Sequence, residues 1–227
     1  EEKRQARQTI RAKWTLDLET GLVELVEGTV PEIAKTADSI LPEQYSKWRK
    51  LYNIDGQVSF KGRPDSPDGP AYLDATLDNV SLQFPQAEGG MKMAGVCGTL
   101  TFRADGVTAR SLTGRLPQAG NAEFTLNGVY GGYDANSPLR LNIRARQMTV
   151  PDANQAAGWL AGTLRYIHRA YKPAGRFDLR ADVTRGADGR VAFDGNAVAA
   201  DMKMTYIEFP YAVEKVNGTV RFTGDAN

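Results

Sequence analysis

The sequence predicts a mainly β protein with two helices, an α+β fold whose strands form an elongated antiparallel sheet. Two observations support this prediction. Apolar residues alternate with polar ones through much of the 227-residue chain, as in strands with one apolar and one solvated face. The same ordered features also occur twice, about 120 residues apart. Tandem units bury their core against their neighbours, so the fold is expected to be extended.

Four features recur in the same order and divide the chain into two units. They are Val30-Pro31 and Val150-Pro151, Gly56 and Gly175, Phe84-Pro85 and Phe209-Pro210, and Gly98-Thr-Leu-Thr-Phe102 and Gly218-Thr-Val-Arg-Phe222. We expect residues 1–13 to be a charged lead-in, 14–133 the first unit and 134–227 the second. The second unit stops before its last expected strands, which indicates a fragment of a longer array.

Each unit is expected to open with a strand and continue with a broken helix. The opening strands are Trp14 to Leu18 and Leu139 to Ala145, and the second alternates apolar and polar residues. After each Val-Pro pair the apolar spacing changes to three and four residues, as on one stripe of a helix. The two stripes comprise Ile33, Ala37, Ile40, Leu41, Tyr45, Trp48 and Tyr52, and Ala153, Ala156, Ala157, Leu160, Leu164, Ile167 and Tyr171. Pro42 and Gly162 interrupt them at equivalent places.

About six strands joined by short turns are expected after each helix. In the first unit they include Leu73 to Leu77, a separate segment from Val80 to Phe84, Val96 to Phe102, Val107 to Leu116, and Phe124 to Tyr130. In the second they include Phe177 to Val183, a strand that begins at Val191, and Val216 to Phe222. The glycine-rich segment from Arg185 to Gly189 predicts a hairpin turn, and the segment from Arg63 to Pro70 predicts an exposed loop.

Composition excludes several classes of function. The 28 basic and 27 acidic residues nearly cancel, so no nucleic-acid partner is expected. No apolar run reaches 18 residues, so we expect no transmembrane segment. One cysteine, Cys97, and one histidine, His168, make a zinc site improbable. We therefore expect no metal site, no cofactor and no catalytic residue.

The helix-to-strand junctions and the last strand segment resemble the AsmA-like family of bacterial envelope proteins. The matching segments are Leu51-Tyr-Asn-Ile-Asp-Gly-Gln-Val-Ser-Phe60, Ala170-Tyr-Lys-Pro-Ala-Gly-Arg-Phe-Asp-Leu179, and Met204 to Asp225. The last is similar to the family's habit of an aromatic-proline strand end, a short turn, and then V-x-G-x-V-x-F. The resemblance spans roughly residues 30–227, and its motifs are made of glycines and alternation, not of reactive groups.

This resemblance implies a long, curved, taco-like β-groove that shields the acyl chains of phospholipids between membranes. It also implies a periplasmic location in the cell envelope, tethered to the inner membrane by a segment outside this chain. An alternating sheet suits that task, because it can line a track with aliphatic and aromatic side chains. The groove candidates are Leu77, Leu82, Phe84, Leu100, Phe102, Phe177, Leu179, Phe193, Val220 and Phe222. For any one of them, the alternative is an ordinary core position.

Two other functions remain open at this point. The repeats are equally typical of a structural or scaffolding β-module that binds other envelope proteins. An enzyme is expected only if scattered carboxylates, such as Asp17 with Glu19 or Asp201 with Glu208, converge in a pocket. No reactive group occupies the same place in both units, and we therefore expect a non-enzymatic protein.

Overall fold

The strands form one open, curved antiparallel sheet of eleven strands, whose order in space is their order along the chain. The computed structural model describes residues 11–16, 23–33, 50–64, 70–83, 91–134, 136–150 and 169–226. The strands are β1 (Arg11–Leu16), β2 (Val23–Val30), β3 (Asp55–Arg63), β4 (Tyr72–Gln83), β5 (Lys92–Arg103), β6 (Gly106–Leu116), β7 (Ala122–Tyr130), β8 (Leu139–Thr149), β9 (Ala174–Arg185), β10 (Val191–Tyr206) and β11 (Phe209–Ala226). The expectation of a mainly β, antiparallel sheet is confirmed.

The described turns that join the strands lie at two opposite ends of the sheet. At one end, called the hairpin end, residues 104–105 join β5 to β6 and residues 186–190 join β9 to β10. At the other, called the far end, residues 117–121 join β6 to β7 and residues 207–208 join β10 to β11. The hairpin turn expected from Arg185 to Gly189 joins β9 to β10, as predicted.

Most of both expected helices lies outside the described residues, so the two helices stay predictions, and only their expected margins are described. Ile33, Lys50 and Leu51 are helical, as are residues 169–171. The margins meet the strand ends: the Gln83 amide donates to the Tyr52 carbonyl at 2.7 Å, and the Ile207 amide donates to the Ala170 carbonyl at 2.9 Å. A single 3₁₀ turn, Pro117–Ala119, connects β6 to β7.

Three strand predictions need correction. The segments 73–77 and 80–84 were expected to be separate strands, but β4 is continuous across them. An extra residue, Asn79 with φ +52°, shifts the register there and lets pairing continue on both sides. The sequence pattern also does not predict β2, because Leu25 and Val26 are adjacent and Gly28 breaks the apolar alternation of this strand.

The third correction concerns Phe209-Pro210, expected at a strand end. The turn is at Ile207 and Glu208, so this pair begins β11. Proline is tolerated at the first residues of a strand, where its missing N–H breaks no central ladder bond. At the other end of the chain, β1 begins at Arg11 and so includes the last residues of the segment 1–13.

Candidate functional site

One face of the sheet collects most of the large apolar side chains of the described strands from β2 to β11. Directly opposed residues in an antiparallel pair share a face, as do alternate residues along a strand. Cross-strand pairs link Phe60 to Ala75, Ala75 to Leu100, and Leu100 to Ala109, and the chain of pairs continues to β11. We call this surface the apolar face and the opposite surface the polar face.

The candidate groove residues occupy this single face. The nine within the described residues are Leu77, Leu82, Leu100, Phe102, Phe177, Leu179, Phe193, Val220 and Phe222. Phe84 lies outside the described residues. The face also includes residues that sequence reasoning left off the groove, namely Met93, Phe124, Leu126, Leu141 and Ile143. Their alternation was visible in the sequence and could have identified them.

Four β-bulges keep the apolar residues on one face along strands of 11 to 16 residues. Each has a non-glycine residue with φ between +49° and +53°: Asn79, Ser111, Gln147 and Asp201. Each bulge N–H donates to a side chain of the next strand: Asn79 to Cys97 Sγ (3.4 Å), Ser111 to Asn127 Oδ1 (2.8 Å), Gln147 to Asp178 Oδ1 (2.8 Å), and Asp201 to Asn217 Oδ1 (3.0 Å). A line of bulges therefore crosses the sheet, and bulges increase its local twist and bend.

On the central strands, toward the far end of the sheet, packed side chains cover the apolar face. The buried cluster there contains Val80, Val96, Leu116, Ala119, Ala122, Phe124 and Ala145. Phe124 is only 4% exposed and Ala145 only 2%. Leu77, Met93 and Leu179 are among the partly buried residues that pack against it. This part of the face is a protein core.

The same face is less covered toward the hairpin end and at β11. Leu73 is 39% exposed, and Val220 is 62% exposed. Phe102, Phe193 and Phe222 are half-buried. The face is thus closed at one place and accessible at others.

Glycines let large side chains lie flat on the apolar face. At five positions a Cβ atom would collide with a side chain of the adjacent strand: Leu112 at Gly98, Phe124 at Gly114, Leu141 at Gly128, Phe222 at Gly195 and Phe193 at Gly224. The Phe193 and Phe222 rings, with centroids 6.3 Å apart, therefore lie along the sheet surface. A side chain that lies flat leaves free space above the sheet.

The polar face holds two concavities. One has a volume of about 970 Å³ and is lined mainly by β6, β7 and β8. Its charged and amide lining residues are Arg115, Arg144, Arg146, Glu123, Asn79, Asn121, Asn127 and Asn142. The other, of about 660 Å³, is lined by β1 to β5 and includes Lys13, Glu27, Lys61 and Asp74. Both are open to solvent, and polar and apolar groups line both of them.

Two ion pairs join neighbouring strands on the polar face. Arg221 Nη2 lies 2.9 Å from Asp194 Oδ2, and Lys203 Nζ lies 2.8 Å from Glu214 Oε1. The hydrogen bond from Arg221 lowers the pKa of Asp194, and the hydrogen bond from Lys203 lowers the pKa of Glu214. Both pairs are exposed, so solvent screens them.

The carboxylates and the cysteine singled out in the sequence form no metal centre in the part of the chain that the structure describes. No group of three or more His, Cys, Asp or Glu residues there could hold a metal ion. Asp201 lies at the β10 bulge and Glu208 in the following turn, whereas Asp17, Glu19 and His168 lie outside the described residues. Cys97 is half-buried on β5, and its Sγ accepts a hydrogen bond from the backbone N–H of Asn79.

Comparisons with known proteins supply no functional assignment for this chain. None of the described helical residues belongs to a helix long and apolar enough to cross a membrane. No family model matches the chain, and neither does any curated protein or any solved structure.

Proposed function

We propose that the chain binds the acyl chains of lipids along its apolar face. The observation that supports this most is the continuity of that face across ten neighbouring strands, with exposed aliphatic residues at Leu73 and Val220. A bound acyl chain gains roughly 0.8 kcal/mol for each methylene that it removes from water. The accessible parts of the face, at the hairpin end and at β11, are where such chains would bind.

The two-unit organisation is part of the same proposal. Gly56 and Gly175 are the second residues of β3 and β9, and both have a strongly positive φ, +133° and +127°. The bulges at Asn79 and Asp201 occur on β4 and β10, which follow those strands. Such equivalence favours two tandem units, 14–133 and 134–227, of the AsmA-like type. In that case the protein conducts phospholipids in the periplasm, held at the inner membrane by a segment outside this chain.

A structural role is the second candidate, and one observation favours it. The buried cluster around Phe124 and Ala145 fills the middle of the apolar face, as in a module built only for stability. If scaffolding is the function, the exposed residues at the margins bind envelope proteins and no lipid. The two candidates therefore differ in what contacts Phe102 and Phe222.

Site-specific photocrosslinking distinguishes lipid binding from a structural role. A benzophenone amino acid replaces Phe102 or Phe222 on the apolar face, and the matched controls are Arg103 and Thr223, their neighbours on the polar face. We expect lipid adducts by mass spectrometry at the first two positions after incubation with phosphatidylglycerol and phosphatidylethanolamine vesicles. Equal labelling of both faces, or no adduct together with lipid-free native mass spectra, would contradict lipid binding.

A further inference from the structure

The larger concavity of the polar face carries an excess of positive charge. Its volume is about 970 Å³, and its charged lining residues are Arg115, Arg144, Arg146 and Glu123. Arg180 is directly opposite Arg144 in the pairing of β8 with β9, so it lies at the margin of the same concavity. Four guanidinium groups and one carboxylate therefore surround this space, and the excess of positive charge favours an anionic ligand.

Two of these arginines form a like-charge pair across neighbouring strands. Arg144 and Arg180 share the polar face, because directly opposed residues of an antiparallel pair point to the same side. Both are exposed, and neither forms a hydrogen bond or an ion pair with another residue of the described strands. Like charges directly opposed across strands destabilise a sheet. An anion between the two guanidinium groups would replace this repulsion with charge-assisted hydrogen bonds.

The carboxylates that flank Arg180 on β9 are engaged elsewhere. Asp178 Oδ1 accepts a hydrogen bond from the backbone N–H of Gln147 at 2.8 Å. Asp182 Oδ1 accepts a hydrogen bond from Asn142 Nδ2 at 2.6 Å. The described strands contain no ion pair between either carboxylate and Arg180, so this guanidinium keeps its donors for a ligand.

The rest of the lining indicates what kind of molecule fits the concavity. The other polar lining residues carry amides or hydroxyls: Asn79, Asn121, Asn127, Asn142, Thr113 and Thr125. Such groups form hydrogen bonds with hydroxyl groups of a ligand. Phe124 belongs to the apolar face and is only 4% exposed, so the described lining offers no ring on which a nucleobase could stack. The concavity therefore fits a small hydroxylated anion better than a nucleotide.

We propose that this concavity binds a small hydroxylated phosphate ester, with the phosphate between Arg144 and Arg180 and with Arg146 as a further cation. A phosphate monoester carries about two negative charges at neutral pH, and the planar fork of a guanidinium matches its oxygens. The space is concave, so it admits a separate molecule, whereas a flat bilayer surface contacts only its rim. The site lies on the face opposite to the proposed acyl-chain surface and does not depend on lipid binding.

An NMR titration of isotope-labelled protein with glycerol 3-phosphate tests the site. At low ionic strength, saturable shift changes should appear at the amides of Asn142 to Arg146, and glycerol alone should cause none. Arg144→Gln and Arg180→Gln should each weaken the affinity about tenfold, because each removes one charged fork from the phosphate. A wild-type protein that shows no saturable change in this region would overturn the proposal.

Arg140→Gln is the matched control for charge alone. Arg140 is exposed on the same face of β8, but it is opposed by Val129 and Thr184 and does not line the concavity. Its substitution should leave the affinity at the wild-type value. If Arg140→Gln weakens binding as much as Arg144→Gln and Arg180→Gln do, the attraction is a general effect of net charge and the assigned site is rejected.

The stability of the unliganded protein tests the like-charge pair separately. Arg144→Gln relieves the repulsion from Arg180, so its urea midpoint should be at or above that of the wild type. Glycerol 3-phosphate should raise the wild-type midpoint more than the midpoint of Arg144→Gln, because ligand binding stabilises the folded state. An equal rise in both proteins would contradict binding between the two arginines.

The opposed carboxylate tests the position of the phosphate. Glu123 lies directly opposite Arg115 and Arg146 in its two strand pairs, so its charge opposes an anion in the concavity. Glu123→Gln should therefore bind glycerol 3-phosphate more tightly than the wild type. Unchanged or weaker binding would show that the phosphate is not held on this part of the face.

Vesicles distinguish a soluble ester from a membrane surface. Co-sedimentation with phosphatidylglycerol vesicles should be the same for the wild type and for the double variant Arg144→Gln/Arg180→Gln, whether or not the apolar face binds lipid. If the double variant loses vesicle binding and the wild type does not respond to glycerol 3-phosphate, the arginine pair binds lipid head groups and the proposal is rejected.

Discussion

At the scale of single residues, the pairing of glycines with large side chains explains how the apolar face is built. A glycine directly opposite Phe or Leu has no Cβ atom, so the larger side chain can pack against the neighbouring backbone and lie flat. Gly195 shows the close approach most clearly. A Cβ atom there would come within 2.5 Å of Phe222 Cζ and would also collide with the Arg180 carbonyl oxygen. Glycine is thus required by packing at this position, and φ is not the reason.

This packing predicts a specific loss of stability in Gly195→Ala. The added methyl group overpacks the contact with Phe222, and we expect a destabilisation of about 1–3 kcal/mol in urea unfolding. Gly131→Ala is the matched control, because the nearest atoms to its Cβ would be Pro138 O at 3.6 Å and Pro138 Cβ at 3.7 Å, an ordinary contact. If the two variants are equally stable, Phe222 does not lie over Gly195.

At the scale of secondary structure elements, the bulges decide which side chains reach the apolar face. A bulge inserts one residue, so alternation in the sequence shifts by one position at Asn79, Ser111, Gln147 and Asp201. The unpaired N–H at each bulge needs an acceptor, and a side chain of the next strand supplies it. The same hydrogen bond recurs at all four bulges with different acceptor side chains. Only the three-dimensional structure shows that Cys97, Asn127, Asp178 and Asn217 have this common role.

Removal of one acceptor should loosen one bulge. In Asn127→Ala the Ser111 amide loses its 2.8 Å bond, and we expect a cost of about 1 kcal/mol with faster hydrogen exchange at Ser111. Asn142→Ala is the control, because its side chain bonds the Asp182 carboxylate on the exposed polar face and serves no bulge. Unchanged exchange at Ser111 in Asn127→Ala would show that water replaces the amide without cost.

At the scale of the whole molecule, each strand makes its substantial contacts with its immediate neighbours in the sheet. Stability in such a molecule is approximately a sum of local terms and need not be uniform. The buried cluster lies on β4 to β8, whereas Val213 and Val220 on β11 are exposed. The centre of the sheet should therefore be more stable than the β11 edge.

Hydrogen exchange across the sheet measures this gradient. Amides of β5, β6 and β7 should be the most protected, and protection should decrease from β9 to β11. The reason is that few buried apolar contacts oppose local opening near β11. Uniform protection in all eleven strands would mean one cooperative unit and would contradict the local description.

Alternation and glycine spacing determined much of this fold in advance. Strands such as β5, β7, β8 and β9 were predictable because a period of two places apolar residues on one face without regard to their partners. For the same reason, nine candidate groove residues proved to share one face. Leu100 and Phe102 needed no tertiary information, because both follow from one uninterrupted alternation.

Only the tertiary structure decided the continuity of β4, the existence of β2 and the coverage of the apolar face. Local patterns fail at β4 because a bulge at Asn79 imitates a strand end, and at β2 because Gly28 supplies no side chain. Coverage is a property of the assembled strands: Phe124 and Phe222 both alternate in the sequence, yet Phe124 is buried by the central cluster and Phe222 lies on the edge strand. The sequence by itself determined which side chains share the apolar face, and the packing of neighbouring strands decided where that face remains accessible.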